Sequence, residues 1–163
     1  MTTRQIQVQR FSVTSSKSFD EVVAGVDAAI GHPHIKAFSS EVATAKTYSE
    51  LEEVVHRVLG PSDLMEFTRF DLGAILRKEK GTARNSLRLV AGNPLIMKRM
   101  VEHLPDAGSY APVTILIDER TDGVHLSYDR MASLLDPYGN EEAMKVARDL
   151  DSKVELLLTA AAA

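Results

Sequence analysis

The run Leu89-Val90-Ala91-Gly92-Asn93-Pro94-Leu95-Ile96 has the residue types and order of an anion-binding corner. An apolar strand leads into Gly-Asn-Pro and an amphipathic helix leads out, with Asn93 placed as N-cap and Pro94 at the first helical position, which tolerates a missing N–H. Free main-chain N–H groups at Leu95 and Ile96, at the positive end of the helix, suit a carboxylate or phosphate. Gly92 lets such a ligand approach the main chain, and Arg88 lies close by on the strand. The competing account is purely structural: Asn93 satisfies those donors itself, and the corner only fixes the fold.

Acid–base chemistry needs a carboxylate or imidazole in a cleft. Asp71 and Asp129, each at a strand end, are the eligible carboxylates, with Tyr110 and Tyr128 as hydroxyl donors. Capping explains them more simply, Asp71 for the short helix after it and Asp129 for the turn at Met131. Of the five histidines, His32 and His34 have a chelating spacing around Pro33, yet no third ligand or His-Glu-x-x-His pattern accompanies them, so no metal is expected. The chain has no cysteine, which excludes disulfides, thiolate nucleophiles, iron–sulfur clusters and Cys-bound zinc. Nor does it carry a Gly-x-Ser-x-Gly elbow, a phosphate loop or a dinucleotide fingerprint, so no cofactor is expected. Arg84, Arg88, Lys98 and Arg99 can gather near one end of a sheet and attract an anion, although Lys98 and Arg99 also fit the solvated face of their helix.

The elements that must position these residues are legible from periodicity. Alternating apolar residues predict strands over residues 4–14, with a slip near Gln9-Arg10, and over 64–70, 85–91, 110–118 and 124–128. The Asp122-Gly123 turn makes the last two an antiparallel hairpin. Helical spacing with a Ser18–Glu21 capping box predicts a helix ending at Gly31, and a second apolar stripe over 51–59 stops at Gly60-Pro61. Residues 31–46 read as a loop with local helix, 71–78 as one or two helical turns, and 79–83 as a polar connection. Asn140 opens a final helix whose core stripe is Ala143, Ala147, Leu150, Val154, Leu157 and Leu158. The methionines at 97, 100, 131 and 144 fall at helical core spacings.

Composition limits the class of molecule. With 163 residues, 44% hydrophobic and 26% charged, the chain has the make-up of one globular domain spanning 1–163, with a variable helical insertion at about 32–61. A net charge of -4 argues against the uncompensated basic surface that nonspecific nucleic-acid binding needs. No run approaches a membrane span and no signal-peptide core opens the chain, so a cytoplasmic location is expected, with neither nucleic acid nor membrane as partner.

The ordered set Phe70-Asp71, Leu89 to Pro94, Pro112 entering an apolar strand, the Asp122-Gly123 hairpin and Leu126-Ser127-Tyr128-Asp129 resembles the family known as domain of unknown function 302. Ser15 to Val23 is also similar to that family's first helix. The resemblance implies a TATA-binding-protein-like α+β fold and a homodimer, and carries no established activity. Two positions depart from the family pattern: Leu72 stands where many relatives have His, and Thr114 where they have Lys. Together these readings give a mostly antiparallel sheet of about five strands with helices packed on one face. The leading functional expectation is a dimeric domain binding a small polar or anionic ligand near Gly92 and Asn93, with Asp71, Arg88 and Tyr110 as neighbours. A cofactor-independent enzyme using Asp71 or Asp129 as acid or base is the second. The third is a structural protein that pairs with itself through strand 110–118 or 124–128, should either lie at a sheet edge.

Overall fold

In the computed structural model, which describes residues 1, 3–79 and 84–163, the hairpin forms the middle of the sheet. Strands β4 (Val113–Arg120) and β5 (Gly123–Asp129) pair antiparallel, and Gly123, at φ +135°, takes the turn conformation that L side chains rarely adopt. β3 (Ser86–Gly92) flanks β4, β2 (Met65–Asp71) flanks β3, and β1 (Arg10–Ser15) flanks β5. The five-stranded order is therefore β1-β5-β4-β3-β2, antiparallel throughout. Both hairpin strands are interior, so the self-pairing route that required one of them at an edge is closed; the edges are β1 and β2.

Period-two alternation decides which side is buried. Leu87, Leu89, Val113, Ile115, Ile117, Val124 and Leu126 all turn to one face and are buried there. Against them pack α1 (Phe19–Ala29), α5 (Pro94–Val101) and α7 (Glu141–Ala162). Ser18 and Glu21 form the predicted capping box of α1, and Asn140 accepts from the Ala143 N–H at 2.9 Å to start α7. The whole predicted stripe of α7 is buried, as are Met100, Met131 and Met144, while Met97 is half-buried.

Several boundaries differ from the sequence reading for physical reasons. β1 begins at Arg10 rather than near residue 4, because its partner β5 ends at Asp129, opposite Arg10, before the chain turns into α6 (Met131–Leu135). β4 begins at Val113 because residues 105–109 form a 3-10 turn and Pro112 has no N–H to give a ladder. The stretch expected to be mostly loop contains a regular helix, α2 (Ile35–Thr44), whose first turn is capped by the His34 ring accepting from the Ala37 N–H at 3.4 Å. α2 packs on α3 (Tyr48–His56), and Phe38, Val55, Met65 and Leu95 form a second core at that end of the sheet. In β2 the register slips between Glu66 and Thr68, after which α4 (Leu72–Leu76) is capped by Asp71, accepting from Ala74 N at 2.7 Å. Residues 80–83 of the expected polar connection lie outside the described residues. No helix among the described residues is long and apolar enough to cross a membrane.

Candidate functional site

Among the described residues no helix layer covers the opposite face of the sheet, and there a cleft of about 590 Å³ opens. Its floor comes from alternate residues of the four strands β1, β5, β4 and β3, and its wall from residues 109–112 with Leu134 of α6. The register sets Ser127, Leu116 and Arg88 side by side across three strands. Arg10 and Asp129, opposite each other on β1 and β5, form a bidentate pair at 2.6 and 2.9 Å. Arg88 has no ion-pair partner among the described residues, and its guanidinium lies 5.9 Å from the Phe70 ring centroid. Ser127 is only 7% exposed as a residue, but its hydroxyl, which makes no hydrogen bond among the described residues, is not a buried atom.

Tyr110 contributes to the cleft wall as a neutral group. Its hydroxyl shares a 2.8 Å hydrogen bond with that of Tyr138, which pushes its pKa up to about 12. Tyr138 in turn stacks under the Arg4 guanidinium at 4.0 Å.

Asp129 does not cap the turn at Met131, because its carboxylate is spent on Arg10. The cap comes from α7: Asp151 accepts from Met131 N at 2.7 Å and Ala132 N at 3.0 Å, and from the Tyr128 hydroxyl. Burial raises the pKa of both Tyr128 and Asp151, the donors on the carboxylate opposing that rise in Asp151. The Tyr128 hydroxyl is thus engaged inside the core rather than offered to the cleft.

The Gly92-Asn93-Pro94 corner lies in a different environment. Asn93, 6% exposed, accepts from Leu95 N at 2.9 Å and donates to the main-chain and carboxylate oxygens of Asp63 at 3.1 and 3.3 Å. What opens beside the corner is an apolar cavity of about 230 Å³, which shares Ala111, Pro112 and Val113 with the cleft. Gly92 lets Pro112 pack close against it, since a Cβ there would lie 3.1 Å from Pro112 Cβ.

The five residues singled out by sequence therefore fall in three places. Arg88 and Tyr110 share the cleft, Gly92 and Asn93 line the apolar cavity, and Asp71 sits at the other end of β2, where it caps α4 and pairs with Arg77 at 2.9 Å. Thr114, one of the departures from the family pattern, also lines the cleft, and Leu72 opens α4. Sequence reasoning passed over Ser127 and Arg10. Alternation alone places Ser127 on the face of Arg88, but the pairing of Arg10 with Asp129 requires knowing that β1 lies beside β5.

One group of metal-competent side chains occurs among the described residues: Asp27, His32 and Glu66, with ligand atoms within 4.8 Å of one another. Arg69 lies among them, bonding to both carboxylates, and holds Glu66 below the usual carboxylate range. His32 bridges Glu66 Oε2 at 3.1 Å and the Asp27 carbonyl at 2.9 Å. A guanidinium already supplies the positive charge that this group calls for.

A family model described as domain of unknown function DUF302 matches residues 38–161. The matched stretch begins in α2 and includes α3, whereas α1 precedes it. The fold is similar to the crystal structure of the uncharacterized conserved protein DUF302 from Bacillus stearothermophilus, with a TM-score of 0.64 and 12% identity, covering 93% of this chain and 97% of that one. Identity that low carries a likeness of fold alone. Among curated proteins none matches the chain.

Proposed function

This chain belongs to the DUF302 family, and from that premise we propose that it is a cytoplasmic, homodimeric domain that binds a small anionic or polar ligand in the cleft on the uncovered sheet face. The observation that carries the reading is the pair Arg88 and Ser127 on the cleft floor: the Ser127 hydroxyl makes no hydrogen bond among the described residues and is not a buried atom, so it is left to donate to a ligand. Arg88 stands one strand beyond Leu116 in the same row, with a guanidinium suited to planar anions and no carboxylate to neutralise it among the described residues. The uncovered face and the two edge strands leave ample surface for a second copy.

The acid–base alternative has less support. Asp129 is held by Arg10 in a bidentate pair, and Asp71 is exposed, occupied as a cap, and not part of the cleft lining.

Titration with propionate and with inorganic phosphate, followed by amide chemical shifts, tests the cleft. Arg88→Gln should weaken binding by about tenfold or more, the loss of one charge-assisted hydrogen bond, and Ser127→Ala by about fivefold. Unchanged affinity in both variants would remove the site. Sedimentation at micromolar concentration tests the dimer, and a monomer there would count against it.

A further inference from the structure

We infer that the ligand of the cleft carries a compact apolar group, and that this group occupies the cavity beside the Gly92-Asn93-Pro94 corner. The inference rests on the cleft reading above and adds the chemical class: a small carboxylate bearing an aryl or branched alkyl group.

Three observations lead there. The cavity is chemically one-sided, walled by Phe67, Ile96, Met97, Met100, Pro112 and Leu150. Its single polar side chain, Asn93, has its oxygen committed to Leu95 N and its nitrogen to Asp63, so little is left to hold water. Apolar cavities of about 150 Å³ stay dry and accept benzene, so a space of about 230 Å³ admits a six-membered ring. The two methionines, unbranched and polarisable, adapt to such an occupant.

The second observation is adjacency. Ala111, Pro112 and Val113 line both the cavity and the cleft, so the two spaces share one wall. A spacer that rounds Pro112 joins a head group in one space to a ring in the other.

Charge complementarity supplies the third. The cleft offers Arg88 and the Ser127 hydroxyl to an anion and the cavity offers neither, so a ligand with one charged and one apolar end satisfies both spaces at once.

The test uses the full chain and three probes: phenylpropionate, propionate and toluene, each titrated by amide chemical shifts. Phenylpropionate should bind at least tenfold more tightly than propionate. Arg88→Gln should weaken it at least tenfold, and so should Met97→Trp, which fills the cavity. Toluene uptake should respond to Met97→Trp and not to Arg88→Gln. Gly108→Leu fills the space from another wall and guards against a folding defect in the tryptophan variant, because a Cβ there meets only Val101 Cγ2, at 3.6 Å. Equal binding of phenylpropionate and propionate, both sensitive to Arg88→Gln, would overturn this inference and leave the cleft reading standing. Phenylpropionate binding that ignores Arg88→Gln while toluene still fills the cavity would overturn it too, making the cavity a separate site. Should no carboxylate perturb the cleft, both readings fall together.

Discussion

Replacing Gly31 by alanine should destabilise the protein by about 3 kcal/mol or more, beyond the usual cost of overpacking. A Cβ at Gly31 would lie 1.8 Å from the Val58 carbonyl oxygen and 2.9 Å from its carbon. The obstacle is main chain rather than a side chain that can swing away. Nor can residue 31 retreat easily, since its N–H donates to the Leu64 carbonyl at 2.9 Å and its carbonyl accepts from Glu66 N at 2.8 Å. Gly60 faces it in the same crossing, where a Cβ would come within 2.3 Å of the Ile30 carbonyl carbon. The two glycines let the end of α1 pass the end of α3 at backbone distance and so deliver β2 into the sheet. Urea unfolding measures the loss as a lower midpoint at unchanged slope. Gly108→Ala is the matched control, expected to change stability by no more than about 0.5 kcal/mol. A Gly31→Ala variant as stable as that control would mean that the crossing relaxes.

Asp151→Ala should cost a similar amount, about 3 kcal/mol or more, by leaving the Ala132 N–H and the Tyr128 hydroxyl without their acceptor and the Met131 N–H with the Tyr128 oxygen alone. Asp151→Asn should cost less, because it retains one acceptor oxygen. The two substitutions also separate the carboxylate's charge from its shape. Burial lifts the folded-state pKa of Asp151 above the usual carboxylate range, against the pull of its three donors. A carboxyl lifted in this way stabilises the folded state fully below its unfolded pKa, and that contribution is lost as pH rises through the folded pKa. The difference in urea midpoint between wild type and Asp151→Asn should therefore shift against the wild type as pH rises from strongly acidic through the weakly acidic range. A shift in the opposite direction would show that the donors outweigh burial.

Local signals in the sequence proved sufficient where the physics is local. The capping box at Ser18 and Glu21, the Asn93 and Asn140 caps, the Asp122-Gly123 turn and the α7 stripe each involve residues a few positions apart, and all are present as read. Contacts between distant residues were invisible. Asp151 caps a helix that starts 20 positions before it, so Asp129, the nearer carboxylate, looked like the cap. His34 caps α2 although histidine is not among the usual N-cap residues, which left that helix unannounced. Gly31 and Gly60 were legible as helix stops, but not as two halves of one crossing. At the site, Arg88 and Tyr110 fell together because β3 and the segment leading into its neighbour β4 border one cleft. Asp71 did not join them because it stands opposite Leu87, which turns to the covered face, whereas Phe70 stands opposite Arg88.

The place of β1 in the sheet has a kinetic consequence. Arg10 finds Asp129, and Ser15 finds Val124, only after more than a hundred intervening residues have been made. Ser15 also donates from its hydroxyl to the Ala162 carbonyl at 2.7 Å. Pairings so distant in sequence require the chain to lose loop entropy before any contact repays it, which slows folding. During synthesis the four-strand portion β2 to β5 can assemble first, from hairpins and short connections, whereas β1 waits unpaired until β5 has emerged. In that interval β5 is itself an open edge, and a β1 strand from another copy of the chain can reach it as readily as its own. High expression levels should therefore favour strand-exchanged oligomers, with the last strand to join the sheet being the first in the sequence.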